Sequence, residues 1–121
     1  MKFETNMYVR TKAGMIAKII DKRDVSDSLH REEIVFILDN GNRLALHSKK
    51  VLKASHNIID LIEVGDYVNG LIVNDIVTEI DGTKTFNLFK QVSYFGNEDI
   101  NRIVTKEQFK SMEYRLEGKN D

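Results

Sequence analysis

The side chains of this chain that are best suited to catalysis are three histidines and a serine that follows one of them. The histidines are His30, His47 and His56, and Ser48 comes directly after His47. A histidine beside a serine could act as the base and the nucleophile of a hydrolase. Neighbouring residues of a strand point to opposite faces, however, so this pair predicts ordinary polar surface rather than a catalytic dyad.

The sequence also gives no clear pattern for a metal site, a phosphate site or an acid–base pair. His56 and Asp60 have the spacing of two ligands on one helical turn, but two ligands do not close a zinc site, and a surface contact between them is the simpler interpretation. Glu98 and Asp99 are consecutive, which favours solvation over proton transfer. The glycines are spread one per turn rather than grouped in a phosphate-binding loop, at positions 14, 41, 65, 70, 82, 96 and 118. We therefore expect a protein that is not an enzyme and carries no metal or cofactor.

The size and composition are those of an ordinary globular protein. The chain has 121 residues, of which 41% are hydrophobic and 31% charged, which suits one compact domain or two very small units. No apolar run approaches the roughly 20 residues that cross a bilayer, and the first residues lack the apolar core of an export signal. The chain contains no cysteine, so disulfides and thiolate chemistry are excluded and a cytoplasmic location is expected.

Charge is distributed unevenly along the chain. Residues 1–59 carry 11 Lys and Arg against 7 Asp and Glu, whereas residues 60–121 carry 7 against 12. The two halves could attract each other, or the basic half could face a polyanion. In the second case Tyr8 would stack on bases and the basic side chains would line one face: Arg10, Lys12, Lys18, Lys22, Arg23, Arg43, Lys49, Lys50 and Lys53. The sequence pI near 6.3 lies below the value above about 9 typical of dedicated nucleic-acid binders.

Strand and turn patterns fill the first half. Residues 7–21 predict a hairpin around Gly14, and residues 34–47 predict a second hairpin around an Asn-Gly turn. The polar segment 24–31 has no period and predicts an exposed loop between the hairpins. Residues 48–55 leave two interpretations open, a helical turn or a short closing strand.

The second half begins with the apolar segment 58–64, which ends at a turn formed by Gly65 and its neighbour. Thr105, with a glutamine three positions later, forms a capping-box pattern that predicts a short helix over 105–112. A last strand is expected at 113–116. Further short strands are predicted at 67–68, 71–80 and 85–89.

The chain also aligns weakly with itself. An offset of 57 superposes several apolar and polar positions, among them Ile16 on Val73, Ile19 on Ile76, Asn40 on Asn97, Leu46 on Ile103 and Ser48 on Thr105. Either a duplicated unit or chance similarity between β-rich segments would produce this pattern. We predict a mainly β fold of two small SH3-like barrel units, 1–56 and 57–121, packed through the apolar side of 58–64, with a short C-terminal helical turn.

Three segments resemble small uncharacterised proteins encoded by phages and prophages of low-GC Gram-positive bacteria. These segments are 8–12, 55–70, which contains IIDLIEVGDYVNG, and 103–114, with the sequence IVTKEQFKSMEY. Residues 22–50 and 81–101 look individual to this chain. The resemblance implies a viral accessory protein that acts in the cytoplasm of an infected bacterium, with a shared framework and variable loops.

A cluster of aromatic residues in the second half suggests a surface for protein binding. Alternation along the strand predicts that Phe86 is buried, whereas Tyr94 and Phe95, just before a glycine, are the better candidates for exposure. Together with Glu98 and Asp99 they form the predicted protein-binding surface. The acidic second half could also mimic a polyanion and occupy a basic site on a host nuclease.

Three functions remain open at this stage. The leading one is a phage-encoded accessory protein that binds and blocks a host protein such as a defence nuclease, in the manner of anti-CRISPR proteins. The second is a nucleic-acid-binding barrel that uses Tyr8, Arg10, Lys12, Lys18, Arg43, Lys49 and Lys50. The third is a sponge for a small nucleotide signal, which would need a deep pocket. The sequence leaves the oligomeric state open, with a dimer as one option.

Overall fold

The computed structural model describes residues 2–26 and 31–112, and these form two five-stranded antiparallel sheets. The first sheet has the spatial order β4-β3-β2-β1-β5. Its strands are β1 Tyr8–Thr11, β2 Ile16–Ser26, β3 Arg31–Asp39, β4 Asn42–His47 and β5 Val51–Ser55. The predicted mainly β class is confirmed.

The second sheet has the order β10-β6-β7-β8-β9. Its strands are β6 Tyr67–Val68, β7 Leu71–Thr78, β8 Lys84–Leu88, β9 Tyr94–Phe95 and β10 Ile103–Val104. Three 3-10 helices lie at Ser48–Lys50, Ile58–Leu61 and Asn97–Asp99, and the helix α1 spans Lys106–Ser111. The predicted C-terminal helix is confirmed, and residues 48–55 contain both of the elements considered for them.

The two sheets share one connectivity. In each, the fifth strand pairs with the first, and a 3-10 helix lies between the fourth and the fifth. Each second strand also carries one extra residue opposite the third strand, at Ile20 in β2 and at Asn74 in β7. A repeated unit is therefore present at the level of topology, and the separation of the chain into units 1–56 and 57–121 stays a prediction. In the described ranges both sheets are open, and closure into barrels is not found.

The alignment of the chain with itself at an offset of 57 residues does not match corresponding strand positions of the two sheets. The matching extra residues equate Ile20 with Asn74, whereas that offset pairs residue 20 with residue 77. It also places Leu46, which lies in a fourth strand, on Ile103, which lies in a fifth strand. The strands of the second half are shorter, so no single offset relates the two sheets.

The prediction of a loop over 24–31 is also wrong for the residues of this segment that the structure describes, 24–26 and 31. Strands β2 and β3 continue through this segment, with cross-strand pairs that extend to Ser26 and Arg31. Backbone pairing prolongs a hairpin even where an apolar pattern is missing, since each added pair needs only main-chain partners. The hairpin tip at 27–30 and the predicted strand at 113–116 lie outside the described residues.

Each sheet has its own apolar core. The first core is built from Phe3, Val9, Ala17, Ile19, Val35, Ile37 and Val51. The second is built from Ile59, Ile62, Val68, Val73, Phe86 and Leu88. Alternation explains the members that lie in strands, because every second strand residue points inward. Phe3, Ile59 and Ile62 lie outside the strands. Residues of the segment 58–64 join the second core only, while Val64 is 53% exposed.

The contact between the sheets contains a buried ion cluster. Arg10 of β1 is fully buried, and its two terminal nitrogens donate to both oxygens of Asp66 at 2.5 and 3.0 Å. The same guanidinium donates to the carbonyl oxygen of Leu61 at 3.0 Å and to Glu107 at 2.7 Å. The predicted apolar packing through 58–64 is thus incomplete as an account of the junction, since a buried ion cluster lies beside it.

Candidate functional site

The predicted protein-binding residues lie at a groove of about 640 Å³ on the second half of the molecule. Its walls come from the 3-10 helix Ile58–Leu61, the turn between β7 and β8, and the segment from β9 through the 3-10 helix Asn97–Asp99. The lining residues are Asn57, Ile59, Asp60, Asp81, Gly82, Thr83, Lys84, Thr85, Tyr94, Gly96, Asn97, Glu98 and Asp99. Three of the four predicted residues are among them, namely Tyr94, Glu98 and Asp99.

Phe95 is the exception. Its ring packs against Phe86 with centroids 5.8 Å apart, and it lies partly buried at the edge of the second core. Tyr94 points to the other face of the short strand β9, where it is 51% exposed. The prediction that Phe95 is exposed like Tyr94 is therefore wrong, because successive strand residues cannot share a face, and a binding role for either residue stays a prediction.

The hydroxyl of Tyr94 has a defined position. It donates to Oδ2 of Asp75 at 3.3 Å, and this hydrogen bond to a carboxylate raises the pKa of the tyrosine above its ordinary value. The phenol therefore stays protonated in the physiological range. Its ring presents an exposed aromatic surface at the edge of the groove.

Two side-chain hydrogen bonds hold the acidic walls. Oδ1 of Asn97 accepts from the backbone N–H of Ile59 at 2.9 Å, which ties two of the 3-10 helices together. Oδ2 of Asp99 accepts from the N–H of Gly96 at 2.8 Å and closes the turn that carries Glu98. A Cβ atom at Gly96 would lie 2.9 Å from a carboxylate oxygen of Glu98, so a larger residue there would displace that side chain.

Two further carboxylates of the groove, from Asp81 and Asp60, come from other parts of the chain. Oδ1 of Asp81 accepts from the backbone N–H of Thr83 at 2.9 Å, and this hydrogen bond lowers the pKa of Asp81. Asp60 accepts from Ser55 and lies 3.1 Å from the ammonium group of Lys84. Partial burial opposes ionisation of Asp60, but these two partners outweigh it and lower its pKa. Both groups are therefore ionised at neutral pH.

The groove is strongly negative. In the part of the chain that the structure describes, it is lined by four carboxylates, from Asp60, Asp81, Glu98 and Asp99, and Lys84 is the one cation of its lining. That ammonium group is already paired with Asp60. Within the described residues no cluster of three potential ligands is close enough to hold a metal ion. The arrangement suits cationic groups of a partner, such as lysine and arginine side chains.

Asp60 and Asp81 also belong to this surface, although they were not among its predicted residues. Asp81 carries a local signal, because it precedes a glycine in a turn between two strands. Nothing local places it beside Glu98, which follows only from the packing of the second sheet. His56 and Asp60 do not form the expected pair: His56 lies 3.1 Å from Glu4, and Asp60 accepts from Ser55.

The residues predicted to bind nucleic acid are divided by the fold. The prediction that Arg10 belongs to an exposed basic face is wrong, because this side chain is completely buried under the second half. Tyr8, Lys18 and Arg43 lie on the outer side of the first sheet. The other three members are exposed. Lys12 follows the end of β1, and Lys49 and Lys50 lie in the 3-10 helix Ser48–Lys50.

Comparison of the chain with protein-family models, with curated proteins and with solved structures finds no significant match. The resemblance to phage proteins accordingly stays a prediction. Among the described residues, no helix has the length and apolar character needed to span a bilayer.

Proposed function

We propose that this protein is a phage-encoded binding protein that acts by contact, without catalysing a reaction, and that its acidic groove holds a lysine- and arginine-rich segment of a host protein. The observation that carries the proposal is the convergence of four carboxylates and one exposed tyrosine on a single groove. A host protein that handles nucleic acid, such as a defence nuclease, offers basic segments of this kind. The place of action is then the bacterial cytoplasm.

The groove supplies two kinds of attraction. An exposed ion pair stabilises a complex by about 0.2–1 kcal/mol, so several carboxylates must act together. The ring of Tyr94 adds a cation–π contact of about 0.5–1 kcal/mol with a lysine or arginine. Because these terms are largely electrostatic, binding should be fast and should weaken as salt rises. A basic segment held in this way is no longer free to bind its own polyanion, and this is how contact alone would block the host protein.

The bond between Asn97 and Ile59 supports a preformed site. It fixes the 3-10 helix that carries Asp60 relative to the one that carries Glu98. A groove whose walls are already in place loses less conformational entropy when a partner binds. The same charge argues against a nucleotide sponge at this groove, because phosphate groups would meet four carboxylates.

Site-specific photo-crosslinking in the bacterial host tests the proposal. A photoreactive amino acid at position 94 should give one discrete adduct with a host protein, and the same amino acid at Val92, which is exposed but does not line the groove, should not. Glu98→Gln should weaken the adduct, whereas Glu79→Gln, at an exposed acid outside the lining, should leave it unchanged. Equal adducts at positions 94 and 92, or indifference to Glu98→Gln, would contradict the proposal.

A further inference from the structure

A second surface lies on the outer side of the first sheet, away from the first core. Directly opposed residues of neighbouring antiparallel strands share a face. Register pairs Tyr8 with Lys18, Lys18 with Leu38, and Leu38 with Arg43, so these four residues form one row across four strands. Tyr8 precedes the core residue Val9, so the row points away from the core.

A second and a third row continue the same face. Phe36 lies two residues before Leu38 in β3 and is opposed by Asp21 and Ala45. The third row holds Arg23, opposite Ile34. Between the rows the surface forms a cleft of about 450 Å³ that is lined by Ile20, Asp21, Arg23, Phe36, Arg43, Leu44 and Ala45.

The face pairs each aromatic ring with a cation. The ammonium group of Lys18 lies 5.7 Å from the centroid of the Tyr8 ring, and the guanidinium of Arg23 lies 5.4 Å from that of Phe36. Arg43 is exposed at the end of the first row. Against these three cations, Asp21 is the one carboxylate among the described residues that line the cleft. The face is thus aromatic, partly apolar and positively charged, the reverse of the acidic groove.

We infer that this face binds single-stranded nucleic acid, with unstacked bases on Tyr8 and Phe36 and phosphates on Lys18, Arg23 and Arg43. Both rings are half-buried. Stacking on their accessible faces requires bases that are free of a duplex, and flanking cations neutralise the backbone. From the usual spacing of strands and residues, the two rings are about 12 Å apart, which leaves room for about two or three bases. An acidic protein segment would satisfy the cations but would leave the rings without a stacking partner.

The inference does not rest on the function proposed for the groove. The two surfaces share no lining residue and have opposite charge. A like-charged strand would be repelled from the groove, so single-stranded nucleic acid should engage the first sheet only.

Fluorescence anisotropy with labelled oligothymidine and oligouridine tests the inference. Both probes should bind with an affinity that falls as salt rises, and a DNA duplex of the same length should bind more weakly. Phe36→Ala should weaken binding about tenfold or more, the usual effect of losing one stacked base. Arg43→Gln, at an exposed position of β4, should weaken binding and reduce the salt dependence by about one phosphate contact.

The chain contains a matched control for stacking. Phe89 is exposed, and the ammonium group of Lys90 lies 5.6 Å from its ring, but this pair belongs to the other half of the molecule. Phe89→Ala should leave oligonucleotide affinity unchanged. The inference is overturned if the wild-type protein binds neither oligonucleotide, if Arg43→Gln has no effect, if Phe89→Ala weakens binding as much as Phe36→Ala, or if a glutamate-rich peptide binds as tightly as the oligonucleotides.

Discussion

The guanidinium of Arg10 and the carboxylate of Asp66 form a bidentate ion pair, 56 residues apart in sequence, at the junction of the two sheets. Both side chains are fully inaccessible to solvent. Asp66 also accepts from the backbone N–H groups of Glu63 at 2.7 Å and Lys106 at 3.0 Å. One carboxylate thereby fixes β1, the turn before β6 and the start of α1 relative to one another.

Asp66→Ala should lower the free energy of unfolding by about 3–5 kcal/mol, because it leaves a buried guanidinium without its main partner. Chemical denaturation monitored by circular dichroism measures this loss. The double variant Arg10→Met with Asp66→Ala should recover part of the stability, since no unpaired buried charge remains. A loss below about 1 kcal/mol for Asp66→Ala, within the range of a surface ion pair, would contradict this role.

Acid should weaken the same junction through Glu63. Partial burial opposes ionisation of this side chain, but Lys106 at 2.7 Å and Lys53 at 2.9 Å outweigh it and lower the pKa of Glu63 to about 2. A carboxylate whose pKa is lower in the folded state stabilises the fold above its ordinary pKa of about 4.5, and this contribution is lost as pH falls toward 2.

Unfolding curves recorded between pH 7 and pH 2 should therefore show a steep loss of stability below about pH 4.5. Glu63→Gln should be less stable than the wild type at neutral pH and should show a shallower dependence in the acid range. Parallel pH profiles for the two proteins would mean that Glu63 does not carry this effect.

The cap of α1 is a second link between the halves. Oγ1 of Thr105 accepts from the N–H of Gln108 at 3.2 Å and donates to the carbonyl oxygen of Gly14 at 2.7 Å. Thr105→Ala should destabilise the protein by about 1–2 kcal/mol, whereas Thr105→Ser keeps the hydroxyl and should cost less. Thermal unfolding of the two variants distinguishes them, and equal losses would assign the effect to the methyl group instead.

Gly14 faces that cap directly. Its φ angle is +93°, and a Cβ atom there would lie 2.5 Å from Oγ1 of Thr105. Gly14→Ala should therefore destabilise the protein through both backbone strain and this clash. Gly82→Ala is the matched control, because Gly82 has a similar φ of +88° but no atom near the added group. Thermal unfolding should show a larger loss for Gly14→Ala, and equal losses would exclude the clash.

Local features of the fold could be predicted from the sequence, because they depend on neighbouring residues. The turn at Asn40 and Gly41 has positive φ angles at both residues, as the Asn-Gly pair predicts for a two-residue hairpin turn. The capping box at Thr105 is present in full. Tyr94, Glu98 and Asp99 could be placed together because they are close in sequence.

The ion cluster could not be predicted in the same way. Arg10 directly follows the core residue Val9 in β1. Successive strand residues point to opposite faces, so the strand pattern correctly predicts that Arg10 points away from the first core. The pattern does not indicate that the second half of the chain covers this face at Arg10, through Leu61, Asp66 and Glu107. Asp66 and Glu107 are 56 and 97 residues away from Arg10, and only tertiary packing selects them among 19 acidic residues. Asp60 and Asp81 join the groove for the same reason.

Removing the positive charge of Lys84 should make the groove more negative and should therefore improve its binding of a basic peptide. Lys84 is the one cation among the described lining residues, so Lys84→Met should strengthen the binding of a lysine- and arginine-rich peptide several-fold, even though Asp60 loses its partner. Tyr94→Ala should weaken the same binding through loss of the cation–π contact. Fluorescence titration with one labelled peptide measures both variants, and weaker binding by Lys84→Met would contradict the proposed role of charge.

The most direct test of the proposed function is an NMR titration of the isotope-labelled protein with a lysine- and arginine-rich peptide. We predict saturable shifts confined to backbone amides that line the groove, such as Thr83, Gly96 and Asn97, and their loss when Asp81→Asn and Glu98→Gln are combined. A glutamate-rich peptide of the same length should produce no shifts there. An absence of groove shifts with the basic peptide, or an equal response to both peptides, would contradict the account.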